Sequence, residues 1–132
     1  MKVLVAILAC HRYVAPTGRG WDWTNQEKFK YGSVDRQIAA CRETWVKDLA
    51  KCKCHHQTVV DARFFYGRGA TRPPLPDEVF LDVGDDYKNL PYKTRAMCGW
   101  SGEHHYDFTF KTDDDTFIWA DRLMLSGFEN FD

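Results

Sequence analysis

The sequence has almost no net charge, because 18 lysines and arginines stand against 19 aspartates and glutamates and leave a formal charge of −1. Proteins that bind DNA or RNA neutralise phosphates with a basic excess. No such excess is present, which argues against a nucleic-acid partner. A Walker-type Gly-Lys-Ser/Thr motif and a His-Glu-x-x-His motif are missing as well, so neither a phosphate loop nor this zinc-peptidase signature is available.

Long hydrophobic runs are also missing. The most apolar stretch, residues 3–9, has only seven residues before Cys10 and is preceded by a single lysine. It is too short for a membrane span, and its lack of alternation favours a fully buried strand of a parallel sheet. A short signal sequence is the alternative. No membrane segment is therefore expected in this chain.

Cysteine occurs five times, and an odd number excludes complete pairing within the chain. Either the protein is reduced or a partner cysteine lies outside this sequence. The cluster Cys52-Lys53-Cys54-His55-His56 has the residue types of a zinc site. It lacks the second ligand pair that such a site needs, so a solvated polar turn is the favoured interpretation.

Apolar residues are plentiful: 44% of the 132 residues are hydrophobic and 15% are aromatic, which is enough for one globular domain with a single core. Hydrophobic periodicity and breaker residues indicate alternating strands and helices. This alternation predicts an α/β fold with an open, mostly parallel sheet and flanking helices. The predicted elements are strands at 3–9, 58–66, 78–83 and 106–111, and helices at 33–54, 91–100 and 122–126, the last capped by Asp121.

Three consecutive carboxylates, Asp113, Asp114 and Asp115, lie between two β-rich aromatic runs, 108–112 and 116–119. Their charges repel one another, and a hard divalent cation such as Mn²⁺ or Mg²⁺ is the natural counter-charge. Because the carboxyl ends of parallel strands carry ligand sites, the sequence predicts a metal–carboxylate site at a strand end. The alternative to a metal site is an acidic turn whose carboxylates are simply solvated.

Three sequence blocks occur in an order that is known from one enzyme group. They are residues 36–45, residues 77–90 with the following Lys93-Thr94 and Trp100, and residues 106–118. They resemble the Arg-x-x-x-Arg-x-Thr-Trp helix, the Asp-x-Tyr-x-Asn-Leu-x-x-Lys-Thr segment and the metal-binding Asp-x-Asp strand of the β-1,3-glycosyltransferase group. This group includes β-1,3-galactosyltransferases, β-1,3-N-acetylglucosaminyltransferases and Fringe-like enzymes.

The resemblance implies a GT-A type nucleotide-sugar fold and inversion at the anomeric carbon. It implies a UDP-sugar donor of the galactose, N-acetylglucosamine or glucose type, Mn²⁺ or Mg²⁺ as cofactor, and a glycan or glycoprotein acceptor. On the matching positions, Asp115 and Asp113 would hold the metal, Asp113 would also contact the donor, and Asp114 would assist. The other donor-binding positions that it implies are Ala9, Cys10, Arg36, Arg42, Asp86 and Lys93.

For some of these positions a structural role is the alternative, in which Arg42 and Asp86 pair and hold the helix against the turn. The sequence also departs from the group, with Cys41 in place of an aliphatic residue and Leu90-Pro91 where Leu-Thr is common. Group members continue with an acceptor-binding half, so residues 1–132 are expected to form the nucleotide-sugar-binding part of one domain. The catalytic base is expected beyond Asp132.

The alternative function is a module that binds a nucleotide sugar or a metal without turnover, and a purely structural domain is the third hypothesis. The resemblance implies a location in the Golgi lumen if the chain comes from a eukaryotic type II membrane enzyme. A bacterial or viral protein would instead be cytoplasmic.

Overall fold

The computed structural model describes residues 1–10, 34–49, 51, 58–70 and 72–130, with the backbone alone at 34–36. In chain order the strands are β1 (Lys2–Leu8), β2 (Val59–Tyr66), β3 (Glu78–Phe80) and β4 (Phe108–Asp113). The helices are α1 (Val34–Cys41), a π-helical segment (Arg42–Val46), α2 (Lys47–Leu49), α3 (Leu90–Glu103) and α4 (Ala120–Met124). Short 3-10 turns lie at Tyr87–Asn89 and Phe128–Asn130.

The four strands form one sheet in the order β3-β2-β1-β4, and every pairing is parallel. The open parallel α/β sheet that the sequence predicts is therefore confirmed. β1 is a central strand of this sheet, and its residues 3–7 have no exposed surface at all. An uninterrupted aliphatic run is what a strand buried on both faces requires.

The connections change direction at β1. The chain passes from β1 outward through β2 to β3, and then returns to place β4 on the other side of β1. In open α/β sheets such a switch point opens a crevice outside the carboxyl ends of the two strands, and ligands bind there. The register aligns Leu8 at the end of β1 with Asp113 at the end of β4.

One face of the sheet is covered by α1, the π-helical segment, α2 and α4. The spacing i, i+3, i+7, i+11 predicts a shared apolar side for Ile38, Cys41, Trp45 and Leu49, and all four are buried as predicted. They pack in a cluster with Val5 and other inward residues of β1 and β2. The predicted single helix 33–54 is interrupted, because Thr44 leaves helical geometry at φ −108° and ψ −105°. Its hydroxyl donates to the Ala40 carbonyl, a local bond that competes with regular helix geometry.

The opposite face is covered by α3, whose Met97 packs with Leu4, Ala6, Leu8 and Phe65. Pro91 lies in the first turn of this helix, as predicted. The helix continues to Glu103, three residues past its predicted end.

Several predicted boundaries are wrong. β3 ends at Phe80 because the chain turns there, and Arg68 N–H donates to the Val83 carbonyl outside the ladder. β4 continues past 111, so Asp113 is a strand residue and not part of a free acidic loop. The run 116–119, expected to resemble a strand, has no regular structure. Asp121 lies inside α4 and does not cap it, since Trp119 occupies the cap position without a side-chain bond.

Gly127 fits the helix end predicted for it, with a φ of 72° that favours glycine. Within the described ranges, none of the helices combines the length and apolarity needed to cross a bilayer. Ser33, the predicted cap of the first helix, and the cluster at 52–56 lie outside the described residues.

Candidate functional site

The site lies at the carboxyl edge of the sheet, at the switch point between β1 and β4. Asp113 is the last residue of β4 and pairs with Leu8, after which Ala9 and Cys10 continue β1. Ala9 is held to the sheet because its N–H donates to the Phe65 carbonyl at 3.0 Å. The structure thus brings the acidic triplet and the predicted donor-binding residues Ala9 and Cys10 to one edge.

The three aspartates occupy different environments. Asp113 and Asp115 are exposed, whereas Asp114 between them is half-buried. A turn holds them, because Thr116 N–H donates to the Asp113 carbonyl at 3.2 Å. The Asp113 side chain lies 3.3 Å from the ammonium of Lys111, which is a solvated ion pair of small energetic weight.

The buried thiol of Cys41 bonds to the turn that holds the triplet. Cys41 of α1 lies 3.2 Å from the Asp114 carbonyl and donates its S–H to that oxygen. Burial raises the pKa of the Cys41 thiol, and the charges of Asp114 and Asp115 raise it further. The thiol is therefore neutral and available as a donor. This connection between helix and triplet uses the one position of the first block where the sequence departs from the aliphatic pattern.

Negative charge accumulates in the triplet. Burial raises the pKa of Asp114 to about 6, and the charges of Asp115 and Asp113 act in the same direction, while the charge of Lys93 opposes them. Carboxylates that disfavour one another's ionisation in this way gain from a cation between them.

The carboxylates of the triplet suit a hard divalent ion that takes only one or two of its ligands from the protein. Asp113 and Asp115 offer exposed carboxylate oxygens, which Mg²⁺ and Mn²⁺ prefer. In the part of the chain that the structure describes, no group of three or more His, Cys, Asp or Glu side chains converges on a metal position. An ion held by one or two carboxylates and completed by substrate phosphates and water needs no such group.

A buried ion pair, Lys93–Asp85, lies at the same edge of the sheet as the triplet. Lys93 of α3 is only 4% exposed, and its ammonium donates both to the Ala9 carbonyl and to the carboxylate of buried Asp85. The same Asp85 oxygen accepts from Gly67 N–H at 2.8 Å. Gly67 must be a glycine here, since a Cβ would lie 2.8 Å from both Asp85 Cβ and the Val83 carbonyl. The pair therefore fastens together the ends of β1 and β2, the loop after β3 and helix α3.

Lys93, which the resemblance places among the donor-binding positions, bonds in the structure to protein atoms. Its charge is compensated by Asp85, a residue that the sequence analysis missed in favour of the adjacent Asp86. A signal was present: Lys93 lies four residues before Met97 on the buried side of α3, and a lysine there requires a carboxylate. Asp86 is exposed and caps the 3-10 turn, accepting from Asn89 N–H at 3.0 Å and from Asn89 Nδ2 at 2.8 Å.

Arg42 lies in a second charged cluster, at the start of β3. Its guanidinium donates to both Asp77 oxygens at 2.7 and 2.9 Å and to Glu78 at 2.9 Å. Arg72 donates to both Glu78 oxygens at 2.7 and 2.9 Å. Burial alone would raise the pKa of Glu78, but these hydrogen bonds and one from Leu75 N–H lower it to about 2. The pairing of Arg42 with Asp86 considered in the sequence analysis is wrong, because the partners are Asp77 and Glu78.

The side chain of Arg36, another predicted donor-pocket residue, lies outside the described part of the structure. Of the predicted site residues, the structure gathers Ala9, Cys10, Lys93 and the triplet at the carboxyl edge. It engages Arg42 and Asp86 in bonds within the protein, to Asp77 and Glu78 and to Asn89 respectively.

Part of the chain matches a known protein family. The family model described as Galactosyltransferase matches residues 74–128, which is less than half of the 132 residues and runs from just before β3 to just past α4. The match contains Lys93, Asp85 and the whole triplet, and it confirms the resemblance for this stretch. No curated protein and no solved structure gives a significant match to the chain.

Proposed function

We propose that this glycosyltransferase, whose residues 74–128 form a galactosyltransferase family segment, uses a UDP-sugar as donor and transfers its sugar to a sugar hydroxyl. The observation that carries the proposal is the position of the acidic triplet. It lies inside the matched segment, at the carboxyl end of β4, beside the end of β1 at the switch point of the sheet. Nucleotides bind at this place in open α/β sheets.

In the proposed reaction Asp113 and Asp115 would hold a divalent cation, Mn²⁺ or Mg²⁺. When bound, it would supply the positive charge that offsets the diphosphate leaving group. The exposure of both carboxylates supports this assignment, because a cation held there would be open to the phosphates of the donor. Asp114 is half-buried between these two carboxylates, and its carbonyl accepts a hydrogen bond from the Cys41 thiol.

The remaining residues orient the donor. The end of β1 at Ala9 and Cys10 is proposed to border the uridine, and its path is fixed by Lys93 on one side and by the Phe65 carbonyl on the other. Lys93 is a positioning residue in this proposal, because its ammonium bonds to protein atoms and not to a phosphate. Inversion at the anomeric carbon follows from the family resemblance and is part of the proposal.

The test is calorimetric titration of the chain with UDP, with and without Mn²⁺. Binding that strengthens at least about tenfold with Mn²⁺ is expected, because the cation would offset the negative charges of the carboxylates and of the diphosphate. The Asp115→Asn variant keeps the shape of the side chain and removes its charge, so it should lose the Mn²⁺-dependent part of the affinity. The matched control is Glu103→Gln, an exposed carboxylate at the far end of α3. A UDP affinity that does not depend on Mn²⁺, or that is unchanged in Asp115→Asn, would contradict the metal assignment.

A further inference from the structure

The chain that follows the triplet lines a cleft that the proposed donor chemistry does not use. It has a volume of about 480 Å³ and opens between the end of the first helical segment and the chain that follows the triplet. Its lining includes Trp45, Phe117 and Trp119, with Asp48, Lys51 and Asp121 at the charged positions. The volume lies within the range of small-ligand sites.

Two aromatic side chains of the cleft are exposed without a reason in the fold. Phe117 is 59% and Trp119 is 61% exposed, although neighbouring Ile118 and Ala120 pack on the core. The rings of Phe117 and Trp119 meet edge to face at 6.4 Å. The guanidinium of Arg122 lies 4.6 Å from the centre of the Trp119 ring, which restricts the orientation of the indole. Large apolar rings held in a cleft and open to solvent are typical of a binding surface.

The charged positions decide between ligand classes. Asp48 and Asp121 are acidic, Lys51 lies 3.5 Å from Asp48, and Arg122 lies against the Trp119 ring, so the charges beside the cleft balance. A phosphate or a nucleotide would meet no excess of positive charge here and is disfavoured. An uncharged sugar fits both features, since its C–H faces pack on aromatic rings and its hydroxyls donate to carboxylates.

We propose that this cleft binds an uncharged carbohydrate and forms part of the acceptor subsite. The assignment as acceptor rests on the proposed function, and the binding of the sugar does not. Phe117 follows Asp115 by two residues, so the aromatic side of the cleft belongs to the same segment as the residues proposed to hold the metal. This places an acceptor contact within the present chain, where the sequence analysis expected the acceptor-binding half to be absent.

The experiment is saturation-transfer NMR and calorimetry of the chain with two uncharged disaccharides, N-acetyllactosamine and chitobiose. Saturation of the aromatic protons is expected to pass to the sugar C–H protons of at least one of them. Trp119→Ala should weaken that binding at least about fivefold, the scale of one lost aromatic contact, and Trp119→Tyr should restore most of it. Tyr92→Ala, which removes an aromatic ring of similar exposure on α3, is the control and should bind as the parent does.

Absence of transfer to both disaccharides, or equal binding by Trp119→Ala, would overturn the proposal. Folding of each variant is checked by its melting temperature, and Phe117→Ala gives a second way to empty the cleft if Trp119→Ala is unstable. Asp115→Asn separates the two proposals, because it should lose Mn²⁺-dependent UDP binding and keep disaccharide binding. If UDP does not bind but Trp119-dependent disaccharide binding persists, the donor proposal fails and the carbohydrate cleft stands.

Discussion

Two charged clusters stabilise the sheet, the Lys93–Asp85 pair and the group around Glu78, and they connect different parts of the chain. The pair Lys93–Asp85 is almost fully buried and connects to main-chain atoms of Ala9 and Gly67 at the carboxyl edge. The cluster around Glu78 joins Arg42 of the π-helical segment to the start of β3 and the loop before it, and its two arginines are 31% and 48% exposed. The first cluster therefore shapes the backbone of the site, whereas the second fastens a helix to an edge strand.

The largest effect is expected from Lys93→Met, which leaves Asp85 buried beside Gly67 without its cation. Removal of one partner of a buried pair costs about 3–5 kcal/mol of unfolding free energy. Chemical denaturation measures this cost, and Lys88→Met, at an exposed lysine of the 3-10 turn, is the control. The double variant Lys93→Met, Asp85→Asn should recover part of the stability without recovering UDP affinity. Full recovery of UDP affinity would contradict the role of the pair in shaping the site.

A smaller loss, about 2–3 kcal/mol, is expected from Glu78→Gln, because both arginines keep contact with water. The pKa of Glu78 is about 2 in the folded protein, below its ordinary value of 4.5. The unfolded chain therefore takes up this proton first as the pH falls. The stabilisation is fully present above pH 4.5 and is lost between that pH and about pH 2.

Denaturant titrations at several pH values check this behaviour. Parent and Glu78→Gln should differ most near neutral pH and converge towards pH 2. UDP affinity at neutral pH should stay close to that of the parent, in contrast to Lys93→Met. A pH-independent gap between parent and variant would mean that the lost stability does not come from the charge of Glu78.

The smallest effect is expected from Cys41→Ala. Cys41 contacts the triplet from the sheet face that α1 covers, opposite to the face covered by α3 with Lys93. The variant removes a buried sulfur and its bond to the Asp114 carbonyl, at a cost of about 1 kcal/mol. Mn²⁺-dependent UDP binding should weaken severalfold as the turn loosens. Cys98→Ala, at an exposed thiol, should change neither quantity. An unchanged affinity in Cys41→Ala would show that the turn keeps its shape without the thiol.

The sequence predicts those features that depend on local pattern. The aliphatic run 3–9 identifies the central strand, and the spacing of Ile38, Cys41, Trp45 and Leu49 identifies the buried side of the helix. The position of the triplet at a strand end follows from the α/β alternation together with the rule that parallel strands carry sites at their carboxyl ends.

The features that were not predicted depend on distant partners. Asp85 and Asp86 are adjacent and chemically identical, and only the loop geometry decides which carboxylate turns inward to Lys93. The partners of Arg42 come from residues 77 and 78, which no periodicity connects to the π-helical segment. The extension of β4 to Asp113 reflects pairing with Leu8, whereas the aromatic run 116–119 has no such ladder and stays irregular.

The alignment of Leu8 with Asp113 has a consequence for how the site comes into being. These two residues lie near opposite ends of the described chain, so their pairing closes a loop that contains almost everything else. Closure of long loops is entropically costly, and parallel pairing over such separations is slow. The site therefore has no local precursor in the unfolded chain, and it depends on the pairing of both strand ends.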